Sequence, residues 1–242
     1  MNKPILAAAF CTLLSVLCAN AETVRFAHQE HFPPFVDSQN GETVGLFVDV
    51  LNAAANRAGI EPRFLAVPFP EVQRTLIDGR ADAIFPLAIT PERRADFDFA
   101  DVFLTTGGAL YVRAPQATPD GLATLSGKIL VTPRTGPLAA IIQKLAPEVK
   151  LELTANYEES LARLMDGSAD AAALNFQVGA ALAKRLYPGQ VTIPRTIFSE
   201  QPLAVAVSKG QRGELLTRLN SGLAAIKADG TWQKIADVWM QR

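Results

Sequence analysis

Leu76-Ile77-Asp78-Gly79-Arg80-Ala81-Asp82-Ala83 returns 88 residues later as Leu164-Met165-Asp166-Gly167-Ser168-Ala169-Asp170-Ala171, with six of the eight positions identical. The phrase has a local physical meaning. A helix ends, a glycine takes the left-handed conformation that caps it, and an apolar strand begins at once. One such corner is common among α/β proteins, and Ala- and Leu-rich composition inflates identity by chance. Two copies, each preceded by a strand and a helix, predict a chain built as two similar halves.

The surrounding pattern agrees. Val24–Ala27 reads as a short strand, and Val44, Phe47, Val50, Leu51, Ala54, Ala55 and Ala58 fall at helical spacing before Gly59. Pro62–Val67 reads as extended, Val72, Leu76 and Ile77 mark a helix ending at Gly79, and Ala81–Phe85 is an apolar strand. In the second half, strand Ile129–Val131 precedes helix Leu138–Leu145. Such alternation predicts α/β lobes with largely parallel sheets. Ligands of these sheets sit beyond the carboxyl ends of the strands, here Phe85–Thr90 and Leu174–Phe176.

Two apolar extended runs, Ala109–Arg113 and Pro202–Val207, lie where the chain would pass between lobes. The helices expected over 212–228 and 231–240, parted by Asp229-Gly230, would pack with the first lobe. The expected division is therefore 22–110 plus 204–242 for one lobe and 111–203 for the other.

Residues 1–21 read as a secretory signal: Lys3, an apolar run from Ile5 to Cys18 too short to span a bilayer, then Ala19-Asn20-Ala21. A lipoprotein signal acylating Cys18 would want a small residue before it, and Leu17 stands there. Removal of the signal takes both cysteines, Cys11 and Cys18, which excludes disulfides, a thiol nucleophile and thiolate metal sites. The 221 residues that remain carry 22 basic and 24 acidic side chains, since only Lys3 leaves. A net charge near −2 gives no reason to expect nucleic acid or an anionic membrane as partner. The two histidines, His28 and His31, are too few for a metal site, and the expectation is neither metal nor cofactor.

Several motifs in register give the chain a family. Phe32-Pro33-Pro34-Phe35, Gly41, Val44-Gly45-Leu46-Phe47-Val48-Asp49-Val50 and Asp78-Gly79-Arg80-Ala81-Asp82-Ala83 come first. Ile89-Thr90-Pro91-Glu92-Arg93-Arg94, Phe97-Asp98-Phe99 and Lys227-Ala228-Asp229-Gly230-Thr231-Trp232 follow. With these motifs the chain resembles the family 3 extracellular solute-binding proteins, the polar amino acid receptors of ABC transporters. The resemblance implies a type II periplasmic-binding-protein fold, two Rossmann-like α/β lobes joined by two crossing strands. It also implies a monomer in the periplasm that closes around a small carboxylate-bearing, amino-acid-like ligand and meets a membrane permease.

Site residues follow from the residues and the resemblance together. Thr90-Pro91-Glu92 is a helix-start signature that places Arg93 beside the expected cleft. A guanidinium fork binds a carboxylate through two charge-assisted hydrogen bonds, and the family uses the matching arginine in this way. The plain alternative pairs Arg93 with Asp96 or Asp98. Phe32 and Phe69 would sandwich the ligand body, whereas Phe35 and Phe85 read as core. Leu87 and Ala88 precede Arg93 in a stretch where relatives often place hydroxyl residues. Arg134, Thr135 and Gly136 open a helix whose free N–H groups suit an anion, although Pro137 removes one donor. Where relatives bind the α-ammonium with a carboxylate from each lobe, the aligned positions carry neutral Gln29 and Asn175. Glu30 is adjacent but out of register. Two rivals share the fold: a lyase resembling periplasmic cyclohexadienyl dehydratases, with Arg93 and Glu30 in its cleft, and a sensing protein that presents closed lobes to a receptor.

Overall fold

A computed structural model describes residues 21–240. The expected signal sequence, residues 1–21, lies outside the described residues except for its last residue, and both cysteines lie outside them.

Strand β1 (Glu22–Gln29) leads into a small antiparallel meander of β2 (His31–Phe32), β3 (Val36–Gln39) and β4 (Glu42–Val44). Helix α1 (Leu46–Arg57), β5 (Ile60–Val67), α2 (Phe69–Ile77) and β6 (Ala83–Ala88) complete a βαβαβ unit in which β5 and β6 both run parallel to β1. Short α3 (Arg93–Asp96) and β7 (Phe97–Phe99) lead to the ten-residue β8 (Leu104–Arg113). A second βαβαβ unit follows: β9 (Ile129–Pro133), α4 (Leu138–Leu145), β10 (Lys150–Thr154), α5 (Tyr157–Met165) and β11 (Ala171–Asn175). After α6 (Phe176–Leu186) and β12 (Val191–Thr192), the ten-residue β13 (Ser199–Ser208) brings the chain back to helices α7 (Gly213–Ala228) and α8 (Thr231–Met240).

The main sheet runs β10-β9-β11-β8-β13-β6-β1-β5. From either end it meets a parallel trio and then one long antiparallel strand. The halves are not separate sheets, because β8 and β13 pair with each other from Leu104↔Leu203 to Gly108↔Ser199 and carry hydrogen bonding between them. The expected runs Ala109–Arg113 and Pro202–Val207 lie within these two strands, but the pairing between the strands is carried by residues 104–108 and 199–203.

The repeated phrase is a structural repeat. Gly79 and Gly167 both hold positive φ, at 65° and 84°. The aspartate that follows each has the same task. Asp82 N–H donates to the Arg25 carbonyl while its carboxylate accepts from Arg25 N–H at 2.9 Å. Asp170 N–H donates to the Ile129 carbonyl while its carboxylate accepts from Ile129 N–H at 2.8 Å. Each corner is thus pinned to the first strand of its own half.

One helix boundary differs from the sequence expectation. Val44 belongs to β4, and α1 begins only at Leu46. Gly45 stands between them at φ 144°, and a Cβ there would lie 2.2 Å from the Phe35 carbonyl oxygen. Only glycine fits, so the helical spacing is interrupted at that point.

Burial places an aromatic core under the first unit. Phe47 stacks on Phe103 at 4.9 Å, and Phe85 meets Phe26 edge-on at 6.1 Å. Phe35 and Phe85 are both buried, as expected. Helix α7 crosses α1 closely enough that a Cβ on Gly222 would sit 2.1 Å from the Ala54 carbonyl oxygen. Leu110, Leu130, Ile142, Ala171 and Ala173 form a smaller core beneath the second unit.

A cleft beyond the strand ends

The parallel strands of both units end toward the same place. A cleft lies there, lined by Gln29 at the end of β1, Leu87 and Ala88 at the end of β6, and Phe69 at the start of α2. Phe32 and Arg93 complete the first unit's share. The second unit contributes Thr135 and Gly136 from the turn between β9 and α4. Eight of the ten residues singled out in the sequence therefore line one cavity.

Arg93 is held from two directions. Its N–H donates to Thr90 Oγ1 at 3.3 Å, although α3 begins only at Arg93, with Glu92 and not Thr90 at the cap position. Its guanidinium Nη1 donates to the Ala88 carbonyl at 2.9 Å. No carboxylate lies within ion-pair distance of it among the described residues. The plain alternative is removed because Asp98 pairs with Lys209 at 2.7 Å and also accepts from Gly210 N–H. Burial pushes the Arg93 pKa down, opposed by the neighbouring Glu92 charge. A guanidinium in this range remains charged. A partly buried charge whose fork has one backbone partner gains from a counter-charge that arrives with a guest.

Two expected residues stand outside. Arg134 is exposed, and its backbone N–H donates to the Thr154 carbonyl at 2.9 Å, fastening β9 to β10 instead of facing the cleft. Asn175 is 2% exposed and caps α6, its Oδ1 accepting from Val178 N–H at 3.3 Å and from Thr106 Oγ1 at 3.1 Å. That cap fixes which end of the amide faces which way, and Nδ2 has no partner among the described residues.

Seven lining residues were not among those expected for the site, Tyr157, Gln201 and Leu203 among them. Tyr157 opens α5, where Asn156 caps the helix by accepting from Glu159 N–H at 2.8 Å and Glu159 returns a bond from Ala155 N–H at 2.7 Å. Its ring meets Phe32 across the cleft at 6.2 Å, so one aromatic from each unit closes the same side. Burial pushes its hydroxyl pKa up, with the Asn175 backbone acting the other way. The signal was present: the 88-residue offset that relates the repeats maps Phe69 onto Tyr157. Gln201 and Leu203 come from β13. Gln201 is 6% exposed, sits directly opposite Thr106 on β8, and its Nε2 has no partner among the described residues. No periodicity singles out a glutamine in a crossing strand.

The histidines do other work. His28 is fully buried, with Nδ1 donating to the Gln29 carbonyl at 2.8 Å and Nε2 accepting from Thr43 Oγ1 at 3.0 Å. His31 is exposed and pairs with Asp37 at 2.6 Å. No cluster of three metal-ligating side chains occurs among the described residues.

The geometry can be set beside known proteins. ABC transporter arginine-binding protein 1 of Escherichia coli (strain K12) is 30% identical over 252 residues, which span 99% of this chain and 99% of that protein. A solved structure described as an ancestral arginine-binding protein bound to glutamine superposes with a TM-score of 0.78 at 30% identity, covering 91% of this chain and 98% of the other. A histidine kinase sensor domain with similarity to periplasmic binding proteins reaches a TM-score of 0.82 at 24% identity, covering 91% and 96%, and shows the fold alone. The architecture is the type II periplasmic-binding-protein fold. The family model of the bacterial extracellular solute-binding proteins, family 3, matches residues 24–242, and the chain belongs to that family.

Proposed function

We propose that this protein captures a small carboxylate-bearing ligand of amino-acid size in the cleft and delivers it to the permease of an ABC transporter. Arg93 carries the proposal: a partly buried cation at the strand ends, without a carboxylate partner, positioned for a guest that brings its own. Phe32, Phe69 and Tyr157 supply walls for the guest's body. Thr135 and the Gly136 backbone, at the start of α4, are placed to meet its oxygens. Relatives described as arginine- and glutamine-binding proteins support a ligand of this size.

The proposed motion is hinge closure. Residues 22–110 with 204–242 would move as one lobe against 111–203, bending where β8 and β13 cross. The Phe32–Tyr157 contact would form only when the lobes approach. Export to the periplasm through cleavage of residues 1–21 fits the family's extracellular character, and the proposed working form is a monomer.

Capture without catalysis is the better account of the cleft. Arg93 and Tyr157 are its titratable lining groups, and Glu30, the acid a lyase would need, is exposed and outside it. A sensing role would use the same binding physics. Adjacent permease and ATPase genes favour uptake, and an adjacent sensor kinase gene favours sensing.

The test is a thermal-shift screen of amino acids and organic acids, followed by calorimetry on the strongest hit. A ligand that binds the native state raises the melting temperature. Arg93→Met is expected to weaken binding of that hit at least 100-fold, in line with loss of a charge-assisted bidentate contact. Unchanged affinity in Arg93→Met would remove the proposal.

A further inference from the structure

Charge balance in the cleft narrows the guest further. Arg93 is the single charged side chain among the described lining residues, and the remaining polar ones, Gln29, Thr135, Tyr157 and Gln201, are neutral. The acids that adjoin lining residues in the sequence are engaged elsewhere or exposed. Glu30 and Glu92 are exposed, and Glu158 faces Arg185 at 3.8 Å. A zwitterion whose carboxylate pairs with Arg93 would bring its ammonium into the cleft with no anion among the described lining residues to receive it. Burying an ammonium without a counter-charge is unfavourable. A site of net charge +1 is complementary to a guest of net charge −1.

A second observation points to the guest's other polar atom. Gln201 is 6% exposed, lines the cleft, and leaves Nε2 without a partner among the described residues. A buried donor left unmade costs stability, so an unpaired amide on a residue that lines a cavity is available to an acceptor from outside. The remaining walls are apolar, from Phe32, Phe69, Leu138 and Leu203. With a single cation present, they give a second carboxylate no partner.

We infer that the guest is an ammonium-free monocarboxylate with an apolar body and a neighbouring oxygen acceptor, a 2-oxo or 2-hydroxy acid. The inference rests on carboxylate capture at Arg93 and adds to it the exclusion of the α-ammonium. Gln201 Nε2–H donates to the C2 oxygen while Arg93 holds the carboxylate.

Calorimetry on the full mature chain tests it with matched pairs that differ only at C2: 4-methyl-2-oxopentanoate against L-leucine, and phenylpyruvate against L-phenylalanine. The oxo acid of at least one pair should bind at least tenfold more tightly than its amino acid. Gln29→Glu, at the partly exposed rim, restores an anion and should shrink that ratio at least tenfold. Gln201→Leu should weaken the oxo acid at least tenfold while leaving the melting temperature of the free protein unchanged or raised, because it deletes an unpaired buried amide. Amino acids that bind as tightly as their oxo acids, or more so, overturn the inference and leave carboxylate capture standing. Failure of every oxo acid and of its 2-hydroxy counterpart to bind also overturns it. Carboxylate capture itself falls only if the wider acid screen yields no hit that depends on Arg93.

Discussion

His28 shows what a single side chain contributes away from the cleft. It is buried between Phe64 and Phe85, with ring centroids 6.3 and 5.5 Å away, and its one hydrogen is committed to the Gln29 carbonyl. Burial lowers its pKa, partly offset by that carbonyl and by the Glu30 charge. The unfolded chain binds the proton near pH 6.5, where the folded protein does not. Between the two values the unfolded state holds more protons, so stability is full above about pH 6.5 and is lost as pH falls toward the lowered folded value. Melting curves from pH 8 to pH 5 should show the wild type losing more than His28→Gln, which keeps polar contacts but cannot titrate. Parallel curves for the two proteins would show that His28 does not contribute this dependence.

The same scale separates what the sequence disclosed at the site from what it did not. Arg93 was legible because Thr90-Pro91-Glu92 announces a helix start and the resemblance names the position. Arg134 and Thr135 are neighbours in one turn, yet they face opposite ways, and no pattern tells which of the two turns inward. Asn175 stands at a strand end, where a cleft residue belongs, but the free N–H groups of α6 claim its oxygen.

At the scale of elements, the packing of α1 on α7 makes a sharp prediction. Gly222→Ala places a methyl 2.1 Å from the Ala54 carbonyl oxygen, so the helices must separate. Overpacking of this kind costs about 1–3 kcal/mol, and at this chain length each kcal/mol lowers the melting temperature by roughly 2–4 °C. Gly213→Ala is the control, since nothing lies within 4 Å of the added carbon and its φ is not positive. That variant should melt at or above the wild-type temperature. Equal melting temperatures for Gly222→Ala and the wild type would contradict the packing. Helix and strand boundaries were largely legible, because period, glycine stops and caps are local. The departure at Val44 arose from a tertiary contact, the approach of Gly45 to the Phe35 backbone, which no local window contains.

The whole molecule is a pair of βαβαβ units sharing one sheet through β8 and β13. The 88-residue repeat exposed this duplication because Asp82 and Asp170 perform the same strand-pinning task in each unit. Pairing of the crossing strands was not legible, since it depends on two segments almost 100 residues apart (β8 from Leu104, β13 from Ser199). A hinge at these strands predicts that a bound acid shifts the population toward the closed form. Small-angle scattering should record a smaller radius of gyration with the ligand than without it, and Tyr157→Ala should reduce that contraction by removing the Phe32 contact. An identical radius in both conditions would argue against hinge closure.

The most direct measurement is a crystal structure of the protein grown with the acid that gives the largest thermal shift. The account predicts both carboxylate oxygens about 3 Å from the Arg93 guanidinium nitrogens, with the acid's body between Phe32, Phe69 and Tyr157. An acid bound away from Arg93, or one whose carboxylate faces solvent while Arg93 contacts only the Ala88 carbonyl, would contradict it.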